Sequence, residues 1–154
     1  MVLGAHQSRP GRYDFTDLES HSRVLQVYTD QKVKYTNEII GEKAQKEIQE
    51  LEPGEILVLN NVRMLEEENN SKPANKLAKT RFVKALSPLI DIFLNDAFAA
   101  AHRSQPSLVG LSNTTPMAAG RLMESELDAL NKVLDNPDRP SVYLLGGAKV
   151  DDRI

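Results

Sequence analysis

The stretch EILVL, at residues 55–59, is the part of the sequence that decides the fold. It is apolar after Glu55, it follows the turn-forming residues 52–54 (EPG), and it ends at Asn60 and Asn61. Strands buried on both faces are typical of parallel sheets, because helices cover each face of such a sheet. The stretch therefore predicts a buried parallel strand, and Arg63 follows just beyond its carboxyl end.

Strand-like and helical patterns alternate along the rest of the chain. One helix is expected to begin at the capping box formed by Thr16 and Glu19. The other predicted elements are strands at 2–5, 90–94 and 141–145, helices at about 42–51, 74–89 and 121–135, and a short helix-prone segment at 99–103. This alternation predicts an α/β fold with a mainly parallel sheet flanked by helices.

The composition of the 154 residues excludes several classes of protein. A net charge of -3 with only 5% aromatic residues argues against a nucleic-acid binder. The absence of cysteine excludes disulfides and thiolate metal sites, and the three histidines are too far apart for a local metal motif. No signal-peptide pattern and no apolar stretch of about 20 residues is present. We expect a cytoplasmic protein without membrane or nucleic-acid partners.

Several polar residues follow predicted strands, where the ligands of parallel α/β folds usually bind. They are His6, Arg9, Arg63, Asn95 with Asp96, and the segment 146–149. Together with Arg103, the two arginines offer planar guanidinium groups that match phosphate or carboxylate oxygens. Each arginine taken alone is more often a solvated surface residue. Their position at a common edge favours a binding site for a small, highly charged anion.

Other polar residues allow two interpretations each. His6 either donates a hydrogen bond to an anion or fastens its own loop. Asp96 either orients an arginine or caps a helix, and capping requires fewer assumptions. The glutamates at 66–68 are typical of a solvated face, and we assign them no catalytic role. His21 and His102 are expected to be structural or surface residues.

The segment LGGAKV, at residues 145–150, has features of a phosphate-binding turn. Gly146 and Gly147 let the backbone approach a ligand, and a helix that begins there would direct its positive end at phosphate. Lys149 would add a positive charge. The segment matches neither the dinucleotide fingerprint nor the Walker A loop, and a plain turn between a strand and a helix explains the two glycines equally well.

Four motifs together occur in an order and spacing that resemble phosphoglycerate kinase. They are HQSRPG at 6–11, LNNVR at 59–63, the segment from NDAF at 95–98 to AHR at 101–103, and LGGAKV at 145–150. The resemblance covers essentially the whole chain. The HQSRP form of the first motif is most similar to the archaeal branch of the family.

The resemblance implies a kinase that transfers a phosphoryl group between 1,3-bisphosphoglycerate and Mg-ADP, giving 3-phosphoglycerate and ATP. It implies a Rossmann-like N-terminal lobe for phosphoglycerate at 1–119, an interdomain helix at 120–137 and the opening of a nucleotide-binding C-terminal lobe at 138–154. Mg²⁺ would bind with ADP or ATP in that C-terminal lobe, and members of the family are usually monomeric. No metal ligand is assigned within the chain.

The resemblance also implies roles for individual residues. His6, Arg9, Arg63 and Arg103 would bind phosphoglycerate, and Arg9 and Lys149 would act in catalysis. The residues expected to contact the nucleotide are Gly146, Gly147, Lys149 and Arg153. Such roles agree with phosphoryl transfer, in which catalysis consists mostly of positioning and charge stabilisation.

The sequence departs from the family pattern at two places. The family carries an aspartate, an asparagine and a further arginine ahead of the first motif, and this chain starts after them. Arg153 stands where the family usually has a second lysine. We therefore expect a fragment, truncated at both ends, that is inactive alone and binds 3-phosphoglycerate weakly or not at all. The alternative is a non-catalytic anion-binding or interaction module derived from the same lobe, which would retain binding.

Overall fold

The computed structural model describes residues 1–135, 137–142 and 144. The strands are β1 Val2–Leu3, β2 Val33–Tyr35, β3 Ile56–Val58, β4 Phe93–Asn95 and β5 Met117–Ala119. The helices are α1 Glu19–Val27, α2 Glu42–Gln49, α3 Ala74–Leu77, α4 Arg81–Leu86, α5 Pro106–Val109 and α6 Arg121–Asp135. Turns of 3₁₀ helix lie at Val62–Met64, Glu66–Asn69, Ser87–Leu89, Phe98–Ala100 and Gly110–Asn113.

Strand β3 is the centre of a parallel sheet, as the EILVL stretch predicts. It lies between β1 and β2 and runs parallel to both. Leu57 packs into one core with α2 and α4, while Ile56 and Val58 pack on the opposite face with Leu18 ahead of α1. Because neighbouring side chains of a strand point to opposite faces, both faces of β3 are buried. The predicted α/β fold, with a parallel sheet flanked by helices, is confirmed.

Two strands were not predicted from the sequence. Strand β2 has a lysine at its centre, and β5 consists of Met117 and two alanines, so neither resembles a buried apolar run. Both exist because a neighbour pairs with them: β2 pairs with β3, and β5 pairs with β4 in a second parallel sheet. Tertiary pairing therefore overrides a weak local preference.

The predicted continuous helix at 74–89 is wrong. The apolar stripe is real, because Leu77, Phe82 and other residues of the stripe are buried, but the backbone breaks between α3 and α4. Thr80 is extended there, and its hydroxyl donates to the Leu77 carbonyl at 2.6 Å. The carboxylate of Glu67 accepts hydrogen bonds from the amides of Arg81 and Phe82, at 3.2 and 2.6 Å. A side chain from another segment thus satisfies the first amides of α4, which the periodicity does not reveal.

The predicted capping box is also wrong. Helix α1 begins at Glu19 itself, so Glu19 is its first residue and lies too early in the helix to complete the box. The Thr16 hydroxyl contacts the Asp17 carbonyl, and the Asp17 carboxylate instead accepts from the Glu19 amide at 3.1 Å. The aspartate therefore supplies the local turn that the threonine was expected to supply.

The remaining predicted elements differ mainly at their ends. Helices α2 and α6 begin where predicted, α2 ends two residues early, and strand β4 lies at 93–95 instead of 90–94. The helix-prone segment at 99–103 forms only the short 3₁₀ turn. Of the predicted strand at 141–145, the described residues Ser141, Val142 and Leu144 are not in a strand; the last two are 91% and 96% exposed. The apolar side chains of Val142 and Leu144 therefore do not pack against any residue that the structure describes.

Candidate functional site

The carboxyl ends of β1 and β3 bring together the loop at residues 6–16, here called the first loop, and the LNNVR motif. Leu3 pairs with Val58, and beyond the strands the Val62 amide donates to the Ala5 carbonyl at 3.2 Å. Parallel strands place their carboxyl ends at one edge, so the segments that follow must meet there. His6 and Arg63 consequently lie on adjoining segments, and their role as a ligand site stays a prediction.

Asn61 fixes the first loop in place. Its side chain is fully buried and forms four hydrogen bonds. The carboxamide oxygen accepts from the amides of Gln7 and Arg63, at 3.1 and 3.2 Å. The carboxamide nitrogen donates to the carbonyls of Gln7 and Thr16, at 2.8 and 2.9 Å. One side chain therefore holds both the start of the loop and the segment that leads into α1.

Arg63 contributes to the same anchoring. The residue is only 7% exposed, and its Nη1 donates to the Ser8 carbonyl. Ser8 has a φ of 57°, a left-handed backbone conformation that is uncommon for residues other than glycine. Its hydroxyl donates to the Asp14 carboxylate at 2.5 Å. The strained turn positions Arg9, which is exposed and forms no side-chain hydrogen bond with the described residues. Arg63 therefore shapes the loop that presents Arg9.

His6 contacts a buried glutamate. Its Nε2 lies 2.8 Å from Oε1 of Glu68, whose side chain is completely buried. Ser107 approaches the same carboxylate with its hydroxyl, 2.5 Å from Oε1, and with its amide, 3.0 Å from Oε2. The expectation that all three glutamates at 66–68 form a solvated face is wrong, because Glu68 is a buried hydrogen-bond acceptor and Glu67 caps α4.

Arg103 lies in the segment that leads to Ser107. It is partly exposed, and its Nε donates to Nε2 of His102 at 3.3 Å. The segment is fastened by Ser104, whose hydroxyl donates to the Lys72 carbonyl at 2.5 Å and whose carbonyl accepts from the Lys72 amide at 3.2 Å. Within the described part of the chain, Arg103 has no hydrogen bond to His6, Arg9 or Arg63. The segment that carries Arg103 reaches only His6 of these three, through the contacts of Ser107 with Glu68 and of Glu68 with His6.

Asp96, which follows β4, is a helix cap. Its Oδ1 accepts from the Met123 amide at 2.9 Å, close to the start of α6. Gly120 permits this approach, since a Cβ at that position would lie 2.3 Å from Cγ of Asp96. The structure therefore favours capping over the alternative role of orienting an arginine.

The nucleotide-binding prediction falls outside the residues that the structure describes. Gly146, Gly147, Lys149 and Arg153 all lie there, so their arrangement stays a prediction. Among the residues that are described, no three His, Asp or Glu side chains are grouped so that they could hold a metal ion. No helix in this part of the chain is long and apolar enough to cross a membrane.

Sequence reasoning missed the residues that hold the site together. Asn61 lies within the LNNVR motif, so its position was visible but its anchoring role was not. Glu68 and Ser107 gave no usable signal, because one looks like its two neighbouring glutamates and the other like an ordinary loop serine. Their importance depends on contacts across 39 and 62 residues of sequence.

Comparison with known proteins gives a consistent family. The family model described as phosphoglycerate kinase matches residues 1–154. A phosphoglycerate kinase of Methanothermobacter thermautotrophicus is 53% identical over 153 residues, and that of Pyrococcus abyssi is 50% identical over 154. The chain spans 37% and 38% of the length of these two relatives.

Solved structures agree with the sequence relatives. The crystal structure of phosphoglycerate kinase from Pyrococcus horikoshii matches 98% of this chain with a TM-score of 0.92 and 48% identity. The phosphoglycerate kinase structure from Coxiella burnetii matches 91% with a TM-score of 0.68 and 31% identity. The chain covers 37% and 33% of these two structures.

Proposed function

Because this chain belongs to the phosphoglycerate kinase family, we propose that it forms the phosphoglycerate-binding part of an enzyme that transfers a phosphoryl group between 1,3-bisphosphoglycerate and Mg-ADP. The products in the forward direction are 3-phosphoglycerate and ATP. The supporting observation is the joining of the first loop to the LNNVR motif through Asn61, which places His6, Arg9 and Arg63 at one edge of the sheet.

The roles of the side chains follow from their charge and exposure. Arg9 and Arg103 are at least partly exposed and have planar forks suited to phosphate or carboxylate oxygens. Arg63 donates one hydrogen bond to the Ser8 carbonyl, so it contributes to ligand binding partly by fixing the loop. His6 supplies a further ring nitrogen. We assign these four residues to phosphoglycerate binding and Arg9 also to catalysis.

The nucleotide side of the reaction is assigned by family motif alone. Lys149, Arg153 and the glycines at 146 and 147 would contact ADP or ATP, which would bind with Mg²⁺. The positive charges of Mg²⁺ and Lys149 would neutralise the charge that develops during transfer. The boundaries proposed for the parts of the chain are 1–119 for the phosphoglycerate lobe, 120–137 for the interdomain helix and 138–154 for the opening of the nucleotide lobe. We also propose that the enzyme is cytoplasmic and monomeric.

A titration of the 154-residue chain with 3-phosphoglycerate tests substrate binding. We expect weak, saturable shifts in the NMR spectrum, centred on the loop at 6–16. The replacements Arg9→Ala and Arg103→Ala are expected to weaken binding about tenfold each, because each removes a charge-assisted hydrogen bond. Arg23→Ala is the matched control, since Arg23 is a surface arginine paired with Glu19 on α1. Equal loss in the control, or no binding at all, would contradict the proposal.

A coupled assay separates binding from turnover. The 154 residues span about 37% of their relatives, and we expect no ATP formation from 1,3-bisphosphoglycerate and Mg-ADP by this chain alone. Binding that disappears in the arginine variants without any turnover is also the behaviour of an anion-binding module. Robust ATP formation would show that the nucleotide is bound within these residues.

A further inference from the structure

Glu68 differs from its two neighbours in a way that their sequence does not explain. Glu66 is exposed, and Glu67 is partly buried against the first residues of α4. The Glu68 side chain, by contrast, is completely inaccessible to solvent. An ionised carboxylate loses its hydration on burial, so it is tolerated only where donors replace the water. Such a residue is expected to have a specific task.

The donors that surround Glu68 come from two distant segments. Oε1 lies 2.8 Å from Nε2 of His6 in the first loop and 2.5 Å from the hydroxyl of Ser107 in α5. Oε2 accepts from the Ser107 amide at 3.0 Å. The Glu68 carbonyl accepts from Nε2 of Gln105 at 2.6 Å. Contacts at both carboxylate oxygens and at the backbone leave the side chain little freedom to rotate.

This arrangement determines how the His6 ring is oriented. A carboxylate can only accept hydrogen bonds, so Nε2 of His6 carries the proton that is shared with Glu68. Nδ1 has no hydrogen bond to any residue that the structure describes, and the side chain is 16% exposed. The ring therefore has one edge fixed against Glu68 and its other nitrogen free for a ligand.

We propose that Glu68, held by Ser107, is the positioning residue of His6: it fixes the ring through Nε2 and leaves Nδ1 to the phosphoglycerate. The proposal rests on the function proposed above. An anion at Nδ1 requires a donor there, so the ring binds it with both nitrogens protonated. The buried carboxylate supplies the opposite charge next to that cationic ring. Glu68 itself does not contact the substrate.

The substitution Glu68→Gln tests this role because it keeps the size of the side chain and removes its charge. Glu66→Gln is the matched control, since it makes the same chemical change two residues away on the surface. The first measurement does not require a ligand: the Nε2 proton of His6 is observed by NMR and assigned by its loss in His6→Ala. We expect a resonance protected from exchange with water in the parent and in Glu66→Gln, and clearly faster exchange in Glu68→Gln, because a neutral carboxamide oxygen accepts more weakly than a carboxylate.

The second measurement is the affinity for 3-phosphoglycerate in a double-mutant cycle. Glu68→Gln is expected to weaken binding about tenfold in the parent chain. In the His6→Ala background the same substitution is expected to change affinity less than about twofold, because Glu68 acts through His6. Equal losses in both backgrounds would show that Glu68 only supports the fold, and would overturn the proposal.

A milder variant protects the test against misfolding. Ser107→Ala keeps the Ser107 amide and removes only the hydroxyl, which donates to Oε1 of Glu68 and also lies 3.5 Å from Nε2 of His6. It is expected to weaken binding less than Glu68→Gln and to increase the exchange rate of the Nε2 proton. An Nε2 proton that stays protected in both variants overturns the positioning role. If the parent chain binds no 3-phosphoglycerate, the proposed function fails, whereas the proton resonance still decides whether Glu68 positions His6.

Discussion

The two ends of strand β3 use charged and polar groups in opposite ways. At the amino end, the Glu55 carboxylate accepts hydrogen bonds from Lys34 and, at 2.9 Å, from Lys32, whose side chains are 33% and 69% exposed. At the carboxyl end, Asn61 is fully buried and Arg63 is 7% exposed. The amino end therefore pairs a buried carboxylate, Glu55 at 8% exposure, with lysines that reach water, whereas the polar groups at the carboxyl end are buried together with a loop.

The difference agrees with the functional site proposed at the carboxyl end. Ion pairs in contact with water contribute little to stability and are easily replaced. Buried polar groups are tolerated only when they are hydrogen-bonded. Those at the carboxyl end form their hydrogen bonds with the first loop. A loop that is proposed to hold ligand-binding residues needs such anchoring, because its own backbone forms few regular hydrogen bonds. The carboxyl end of the sheet is thus built to position side chains.

Replacing Asn61 should have the largest effect. Asn61→Leu keeps the approximate size but removes all four hydrogen bonds, leaving the amides of Gln7 and Arg63 without their partner. We expect a loss of about 3 kcal/mol in the free energy of unfolding, measured by urea denaturation. Asn70→Leu, at an exposed asparagine, is the control and should stay within about 0.5 kcal/mol. Similar losses in both would show that the hydrogen bonds of Asn61 do not anchor the loop.

Gly120 tests how tightly the carboxyl end of the second sheet is packed. In Gly120→Ala the new Cβ would lie 2.3 Å from Cγ of Asp96, the cap of α6, so one of them must move. A loss of about 2 kcal/mol in thermal unfolding experiments is expected. Gly4→Ala follows β1 and would place its Cβ 3.4 Å from Val62, which a small adjustment accommodates. The comparison fails if Gly4→Ala proves as destabilising as Gly120→Ala.

Glu67 is only partly buried, so its exposure is intermediate between that of Glu68 and that of Glu66. Its carboxylate caps α4 by accepting from the Arg81 and Phe82 amides. Glu67→Ala is expected to lower the free energy of unfolding by about 1 kcal/mol, as loss of a helix cap does. Hydrogen exchange should also become faster at those two amides. Glu66→Ala, at an exposed position, should leave both quantities unchanged, and faster exchange there would contradict the assignment of the cap to Glu67.

The amino end should have the smallest effect on stability, and its contribution should be present at neutral pH and lost in acid. Hydrogen bonds from Lys34 and then Lys32 lower the pKa of Glu55 from 4.5 to about 2. A carboxyl group with a lowered pKa in the folded state contributes stability above its unfolded pKa and loses it as the pH falls through the folded value. The corresponding contribution should therefore disappear between about pH 4.5 and 2.

Glu55→Gln is the variant that isolates this contribution. Its stability should fall less steeply than that of the parent across this acid window, as followed by urea denaturation at a series of pH values. Lys34→Met should reduce the slope more than Lys32→Met, because Lys34 has the larger influence on the Glu55 pKa. Parallel pH curves for the parent and Glu55→Gln would show that the ion pairs contribute nothing.

Local sequence patterns predicted the elements whose side chains repeat regularly. The EILVL stretch identified the central strand, and apolar periodicity located α2 and α6 with their first residues. It also gave the parallel α/β fold, and the motifs gave the family. The four phosphoglycerate-binding residues were chosen because they belong to segments that follow strands or to those motifs. Their roles stay predictions, although His6 and Arg63 do lie on adjoining segments.

By itself, then, the sequence determined the central strand, the fold class and the family, because apolar periodicity and ordered motifs are properties of neighbouring residues. Only the tertiary structure decided that β2 and β5 are strands, that the helix is interrupted at Thr80 where Glu67 caps α4, and that Glu68 is buried against His6 and Ser107. Each of these depends on a partner from a distant part of the chain. A hydrogen bond or strand pairing across such a separation leaves no trace in local composition, since it exists only after the chain has folded.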